Sequence, residues 1–587
     1  MNKTSKSLET LRHSTEHVLT QAMINLYGKK LKMAMGPATD DGFYFDFDYP
    51  EKISEADFKK IETAMHKIIA QNLPFKKEVL SVEKARGLFK GNEYKQEWLD
   101  EIKEKKEPAV IFHTGDKFTD ICTGPHLKST GEIKVFKLLS VAGAYWRGSE
   151  KNKMLTRIYG TAFYSQKELK QYLQLLQEAK KRDHRKLGKE LELFTFSDLV
   201  GKGLPLFTAK GATIWRQIER FVTDEEIKQG YQHVQTPSLA KTDLYRKSGH
   251  YPYYKDTMYP PMKVDEEELI LRPMTCPHHF ALYLSQPRSY RDLPIRYAEF
   301  ASQYRYEKSG ELTGLIRVRK FCLADSHIFV KKQQADKEIN NVLNLIESIA
   351  SVFGFKKGQD YRYRLSLGSR NDKQKYFDDP KEWQYGENLL KQVLEKRQAP
   401  FFEAQDEAAF YGPKIDIQMK NISGKEDTAF TVQYDFCLPQ RFKLAYTNEK
   451  GQDEQPIVIH RSSVGAMERS IGFLIEHYAG AFPVWLAPVQ ISLIPISDKQ
   501  LAYAQKVKQS LEEKNIRVEL DDRPESMQAK IRDAEMQKIP YLLILGEKET
   551  KAKTVSVRQR SKGNLGTMSL TKFISQITKQ VEEKTID

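Results

Sequence analysis

Two histidines four residues apart, His13 and His17, are the first candidates for chemistry. On a helix that spacing puts both rings on one face. Further along, DICTGPHL sets Cys122 and His126 at the same spacing around a Gly-Pro turn. Three imidazoles and a thiol are the residue types of a zinc site, although each pair also arises incidentally. A second concentration lies at 304–327, YRYEKSGELTGLIRVRKFCLADSH. There Arg305, Arg317, Arg319 and Lys320 surround Glu307 and Glu311, with Ser309, Gly310 and Gly314 between them. Guanidinium forks on such a loop suit bidentate contact with phosphate. A solvated charged hairpin has the same composition.

Periodicity predicts the elements that must hold these residues. Leu8, Leu11, Val18, Leu19 and Met23 repeat with a helical period, so His13 and His17 ride a helix. AEFASQYRYE and GLIRVRKF alternate apolar and polar residues, which predicts two strands joined by a long basic loop. SQKELKQYLQLLQEAKKRDHRKLGKE predicts one long connecting helix whose basic end either meets an RNA backbone or is simply solvated. KGATIWRQIERFVTDEEIKQGYQHVQTPSLA predicts an amphipathic helix, then a strand reaching Pro237. Near the C-terminus VQISLIPI, RVEL, YLLILG and TVSVRQR are strand-like and alternate with helical stretches. An α/β sandwich with a mixed or largely parallel sheet is expected there.

A chain of 587 residues should hold roughly three or four domains. Its formal charge of +15 and pI of about 9.1 suggest a polyanionic partner, nucleic acid first. Cys122, Cys276, Cys322 and Cys437 are scattered, which argues against a disulfide framework and for a reducing compartment. No apolar signal segment opens the chain, and the longest apolar run, 472–496, is broken by Glu476, His477, Pro483, Pro488 and Pro495. A cytoplasmic protein without a membrane span is expected.

Longer stretches carry a resemblance. HSTEHVL, FTDICTGPHL and AGAYWRGSEKNKMLTRIYGTAF resemble the editing domain shared by threonyl- and alanyl-tRNA synthetases. The helix-and-strand stretch ending at Pro237 resembles motif 1 of class II synthetases, 304–327 resembles motif 2, and VGAMERSIGFLIEHYAG resembles motif 3. LRPMTCPHH, AFYGPKIDI, TVQYDFCLP and PIVIHRSSVGAMER are similar to bacterial threonyl-tRNA synthetases in particular. The C-terminal stretch resembles the anticodon-binding domain of class II enzymes. The resemblance implies an editing domain at 1–164, a linker helix at 165–194, an antiparallel class II core at 195–486 and an α/β anticodon-binding domain at 487–587. The small N-terminal β-grasp module that many members carry is expected to be missing.

On this resemblance the chain activates L-threonine with ATP and transfers it to threonine tRNA. Cys276, His327 and His460, far apart in sequence, match the ligands of one catalytic zinc. Tyr411 and Asp325 match threonine-binding positions. For ATP the family implies Arg305 at the α-phosphate, Glu307 at the adenine edge, Phe321 and Arg469 against the ring, and Arg317 at the outer phosphates. Lys414 and Gln433 line the site, and magnesium bridges the phosphates. His250 matches a residue implicated in transfer to the tRNA ribose. His13, His17, Lys95, Asp120, Cys122 and His126 match the editing cleft, where mischarged serine is hydrolysed; whether zinc binds there stays open. Glu549 and Arg558 match anticodon-reading positions, with Lys530 and Arg532 as basic neighbours. A homodimer is implied. A zinc that grips the threonine hydroxyl rejects valine by about 10⁴ or more but serine by only roughly 10- to 200-fold, which is why an editing domain is useful.

The chain also departs from the pattern. Where the family reads close to RVRGFTQDDAH, this sequence has RVRKFCLADSH. Lys320, Cys322, Leu323 and Ala324 are altered, as are His278, Thr428, Pro524 and Gln528. The first six are expected to gather near one pocket, in a divergent or inhibitor-resistant copy or through simple drift.

Overall fold

A computed structural model describes residues 3–370, 372 and 374–586. The chain forms two compact units, Met1–Gln177 and Glu178–Asp587.

The first unit is built on the helix Lys3–Tyr27. Its stripe of Leu11, Val18, Leu19, Ala22 and Met23 is fully buried, as the periodicity predicts. It packs on a four-stranded antiparallel sheet, in order Lys32–Met33, Phe43–Asp48, Met154–Phe163, Val135–Tyr145. Phe43, Phe45 and Phe47 point into this core, and alternation turns Tyr44 and Asp46 to the opposite face. A separate three-stranded sheet, Phe75–Leu80, Ala109–Thr114 and Phe118–Ile121, carries Asp120 on its last strand and delivers the chain to Cys122.

The second unit begins with a correction. The connector is two helices, Gln166–Arg182 and His184–Glu190, because Asp183 breaks the run and caps the second helix, accepting the Arg185 N–H at 2.8 Å. Its basic end is partly engaged: buried His184 reaches Glu476 through Nδ1 at 2.8 Å, and its Nε2 accepts the Leu315 N–H at 3.0 Å.

The core is an eight-stranded sheet. Its order is Gln232–His233, Ile295–Tyr304, Lys320–Val330, Ile457–Ala466, Glu426–Asp435, Lys414–Lys420, Tyr361–Ser366, Phe401–Ala404. Only the two outermost pairs are parallel. Helices Ala209–Lys228, Ala335–Val352 and Met467–His477 share the core on one face. The expected strand reaching Pro237 shortens to Gln232–His233; beyond it the Val234 N–H still donates to Ala298 O at 2.9 Å, but the Thr236 N–H goes to the Glu299 side chain at 3.3 Å.

The basic hairpin is also corrected. Its first strand ends at Tyr304, but its second begins at Lys320. GLIRVR alternates like a strand, yet its amides close a turn, Ile316 and Arg317 both donating to Thr313 O, and Arg319 N donates to Gly203 O at 2.8 Å.

The C-terminal sheet is mixed, as expected. Val518–Leu520, Ile491–Pro495 and Tyr541–Leu545 run parallel, and Thr554–Gln559 and Gly563–Ser569 continue antiparallel. No helix among the described residues is long and apolar enough to cross a membrane.

Candidate functional site

Register assembles the main site. Across four neighbouring strands, His327 pairs with His460, His460 with Gln433, and Gln433 with Lys414. Residues scattered over more than a hundred positions thus form one row. Along a single strand, period-two alternation turns Phe321, Leu323, Asp325 and His327 to the same side. These side chains line a cleft of ≈ 710 Å³ that also takes in His250, Arg305, Glu307, Arg317, Tyr411 and Arg469.

Cys276 opens the helix Cys276–Tyr283 at one end of this row. The donor atoms of Cys276, His327 and His460 lie within 4.8 Å of one another, and all three residues are buried. The remaining nitrogens are tied down from behind. His460 Nε2 meets Asp435 Oδ2 at 2.7 Å, and His327 Nδ1 meets His279 Nδ1 at 2.8 Å. His279 in turn reaches Glu299 at 3.3 Å. Such outer contacts fix the rings of metal-binding histidines. Burial, with Asp325 and Asp435 nearby, pushes the Cys276 thiol well up, and burial holds His327 well down. A divalent cation would reverse the first effect by stabilising the thiolate. Two imidazoles and a thiol with one open position fit zinc.

Tyr411 stacks on His460 with ring centres 4.8 Å apart and gives its hydroxyl proton to Gln433. Burial raises the Asp325 carboxyl, and Gln303 Nε2 approaches it at 3.4 Å. His250 is buried, with Nδ1 2.7 Å from Ser248 Oγ and Nε2 3.8 Å from Cys276 Sγ. Its pKa is pulled down to about 3 by burial.

The other half of the cleft is cationic. The Arg305 guanidinium lies 5.0 Å over the Phe321 ring, and its buried Nε has no hydrogen-bond partner among the described residues. Arg469 donates Nη1 to Thr428 O at 2.6 Å and Nε to Ile316 O at 3.0 Å. Lys414 sits 2.8 Å from Asp416, which also takes Arg364 and Ser366. Arg317 donates to Glu307 at 2.7 Å, so these two expected ligand contacts neutralise each other here.

The altered positions separate by strand face. Leu323 and Thr428 line the cleft. Cys322 and Ala324 point the other way into the helix-covered core, and Lys320, also out of the cleft, leans on Glu468 at 3.7 Å and over Trp215. His278 is buried beside Tyr245. The expectation of six changes around one pocket is therefore corrected to two.

The first unit holds a second cleft of ≈ 590 Å³, lined by His13, His17, Lys95, Asp120 and Cys122. Cys122 Sγ lies 3.0 Å from His13 Nε2 and 3.2 Å from His126 Nε2. Those three and His17 place four donor atoms within 4.8 Å. Fully buried Lys95 pairs with Asp120 at 2.5 Å. Burial drives the Cys122 thiol up to about 12, and lowers His13 to about 4 and His126 to about 3. Burial thus favours the neutral forms of these imidazoles and of the thiol, while Lys95–Asp120 and Arg157–Asp46 ion pairs also line the cleft.

In the C-terminal sheet region, Glu549 caps its own helix by accepting Gly546 N–H at 3.0 Å, and Arg558 pairs with Glu535 at 2.9 Å. Lys530 is buried and donates to Asp521 O at 2.9 Å, so it is not a free basic contact. Arg532 is exposed beside Asp533.

Sequence reasoning missed Gln303, His279, Glu299, Asp435 and Asp416 around the main site, and Glu16, buried 3.9 Å from His17. Strand register alone could have found Gln303, Glu299, Asp435 and Asp416, whereas His279 rides the helix Cys276–Tyr283, three residues after Cys276.

Comparison with known proteins agrees with this geometry. The family "tRNA synthetase class II core domain (G, H, P, S and T)" matches residues 259–478. "Anticodon binding domain" matches 490–580, and "Threonyl and Alanyl tRNA synthetase second additional domain" matches 109–159. The chain is 49% identical to a threonine–tRNA ligase of Geobacillus kaustophilus over 99% of its own length and 88% of the relative's. It is 49% identical to one of Staphylococcus aureus, covering 99% and 89%. Among solved structures it is similar to the RNA binding domain of a threonyl-tRNA synthetase from Cryptosporidium parvum. That likeness has a TM-score of 0.64 and 33% identity, over 68% of this chain and 98% of that one.

Proposed function

This chain belongs to the threonine–tRNA ligase family, and from that premise we propose the following division of labour among its residues. The enzyme joins L-threonine to tRNA with ATP and carries an editing domain. Activation requires the threonine carboxylate to attack the α-phosphorus of ATP, with pyrophosphate leaving. Arg305, whose buried Nε lacks a partner among the described residues, holds the α-phosphate oxygens and offsets charge developing there. Phe321 and Arg469 hold the adenine between them. Glu307 exchanges Arg317 for the adenine edge, which frees Arg317 for the outer phosphates. Lys414 and Gln433 complete the polar wall, and Asp325 and Tyr411 hold the amino group. Most of the rate comes from placing the two reactants in line.

Cys276, His327 and His460 would hold a zinc ion, which would supply a Lewis-acid anchor for threonine. Magnesium accompanies ATP. His250, neutral and buried beside the triad, orients the tRNA ribose hydroxyl for its attack on the adenylate. In the first unit, His13, His17, Lys95, Asp120, Cys122 and His126 position water on the ester of mischarged seryl-tRNA. The enzyme acts as a cytoplasmic homodimer, with Glu549 and Arg558 facing the anticodon after release from their present partners. Domains divide at about 164, 194 and 486. Leu323 and Thr428 are the two cleft positions at which substrate or inhibitor behaviour diverges from relatives.

The observation that carries this reading is the cross-strand row from His327 to Lys414, which joins the donor triad to the cationic half of the cleft. Zinc analysis with threonine-dependent pyrophosphate exchange tests it. Cys276→Ala should lose zinc and exchange together; a zinc-free variant that still forms the adenylate contradicts the assignment.

A further inference from the structure

The seam between the catalytic core and the C-terminal sheet is fastened in an unusual way. Both lie within the compact unit Glu178–Asp587. The strip 481–489 runs from the core's last helix, Met467–His477, to the strand Ile491–Pro495. Arg517, just ahead of Val518–Leu520, grips this strip. Its Nη2 donates to Trp485 O at 2.7 Å and more weakly to Val484 O at 3.5 Å, and its Nε donates to Ala487 O at 3.0 Å. The Arg517 N–H also donates to Gln490 Oε1 at 2.8 Å, and Gln490 Nε2 returns to Val484 O at 2.8 Å. Arg560, just after Thr554–Gln559, donates Nη2 to Phe482 O at 2.8 Å and Ala481 O at 2.9 Å, and Nη1 to Lys538 O.

Arg517 forms no ion pair with a carboxylate among the described residues. The charged group acting on it is another cation, Arg220, and burial pulls its pKa down to about 10. A cation taken out of water needs acceptors, and here backbone carbonyls meet its Nε and Nη2. The planar fork fixes the direction of each bond, so it holds one conformation of the strip rather than merely balancing charge. Apolar packing at the same seam is incomplete, with a cavity of ≈ 20 Å³ among Leu191, Leu193, Phe482, Val489 and Ile539. Polar ties recur around it: Lys210 Nζ donates to Gln537 Oε1 at 2.8 Å, and Gln537 Nε2 to Glu190 O at 3.2 Å.

We propose that Arg517 and Arg560 are positioning residues for tRNA charging, a clasp that holds the anticodon-binding domain in one orientation on the catalytic core. This rests on the ligase reading given above. Amino-acid activation needs only the core. Transfer needs a tRNA held at both domains, so an orientation error at the seam is magnified at the acceptor end. A misplacement of about 1 Å can cost on the order of 10²-fold in rate.

The test compares two reactions in Arg517→Met and Arg560→Met enzymes. Charging of threonine tRNA should lose about 10- to 100-fold in kcat/KM, while threonine-dependent pyrophosphate exchange stays within about twofold of the parent. Arg517→Lys keeps the charge but lacks the fork, and should show the same split to a smaller degree; it serves if a methionine variant fails to fold. Unchanged charging, or equal losses in both reactions in the lysine variant, overturns the clasp. Failure of the parent to charge tRNA would instead overturn the ligase reading.

Discussion

Replacing Asp435 with asparagine removes one charge and almost no volume. Asp435 is fully buried, with one carboxylate oxygen 2.7 Å from His460 Nε2 and the other accepting the Cys437 and Leu438 N–H groups, both at 2.9 Å. Burial raises this carboxyl, whereas His460 and the two amides pull it down. The contact determines which His460 nitrogen faces Cys276 and His327. In Asp435→Asn the amide oxygen keeps the two backbone contacts, so the NH₂ is turned against Nε2–H. The imidazole must then change tautomer or rotate away. Loss of such an outer partner costs roughly 10- to 100-fold in metal affinity, about 1.4–2.7 kcal/mol. Competition for zinc against a chromophoric chelator measures this directly. Pyrophosphate exchange at limiting zinc should fall in parallel and recover with excess zinc. A zinc affinity within about twofold of the parent would refute the orienting role.

Other perturbations separate the parts. His13→Ala or Cys122→Ala should leave threonine charging intact while deacylation of seryl-tRNA falls by about 10² or more; unchanged deacylation rules out the editing assignment. Glu299 is held down from 4.5 to about 2, against the upward push of burial, by His279, Thr236 and Arg272. A depressed carboxylate stabilises the fold above its ordinary pKa and loses that contribution as pH falls through the folded value. Glu299→Gln should therefore cost roughly 3 kcal/mol at neutral pH, with the gap to the parent closing below about pH 4.5 in urea unfolding. A gap that stays constant into acid contradicts this. Leu323→Gln adds a hydrogen-bonding group to the cleft and should tighten a threonyl-adenylate analogue by roughly 3- to 10-fold; equal inhibition constants mean that Leu323 does not face the ligand.

Long amphipathic elements were legible from periodicity alone. The helix carrying His13 and His17 and the mixed C-terminal sheet came out as expected, because burial of one face dominates their energetics. The hairpin's second strand did not, because GLIRVR alternates while its amides are spent on a local turn and on Gly203. The donor triad was accessible only through resemblance. His327 and His460 are neighbours through strand register, and no local spacing encodes that. The altered motif was misjudged for the same reason. Consecutive residues 322–325 project to alternate faces, so adjacency in sequence does not mean adjacency in a pocket.

The most direct test of the paired clefts is charging of threonine tRNA with threonine, serine and valine in parallel, before and after disabling the editing cleft with His13→Ala. Threonine should be charged by both enzymes. Valine should be rejected by about 10⁴ or more in both, and seryl-tRNA should accumulate only in the variant. Valine charged within about tenfold of threonine would contradict a site that selects through a buried polar anchor.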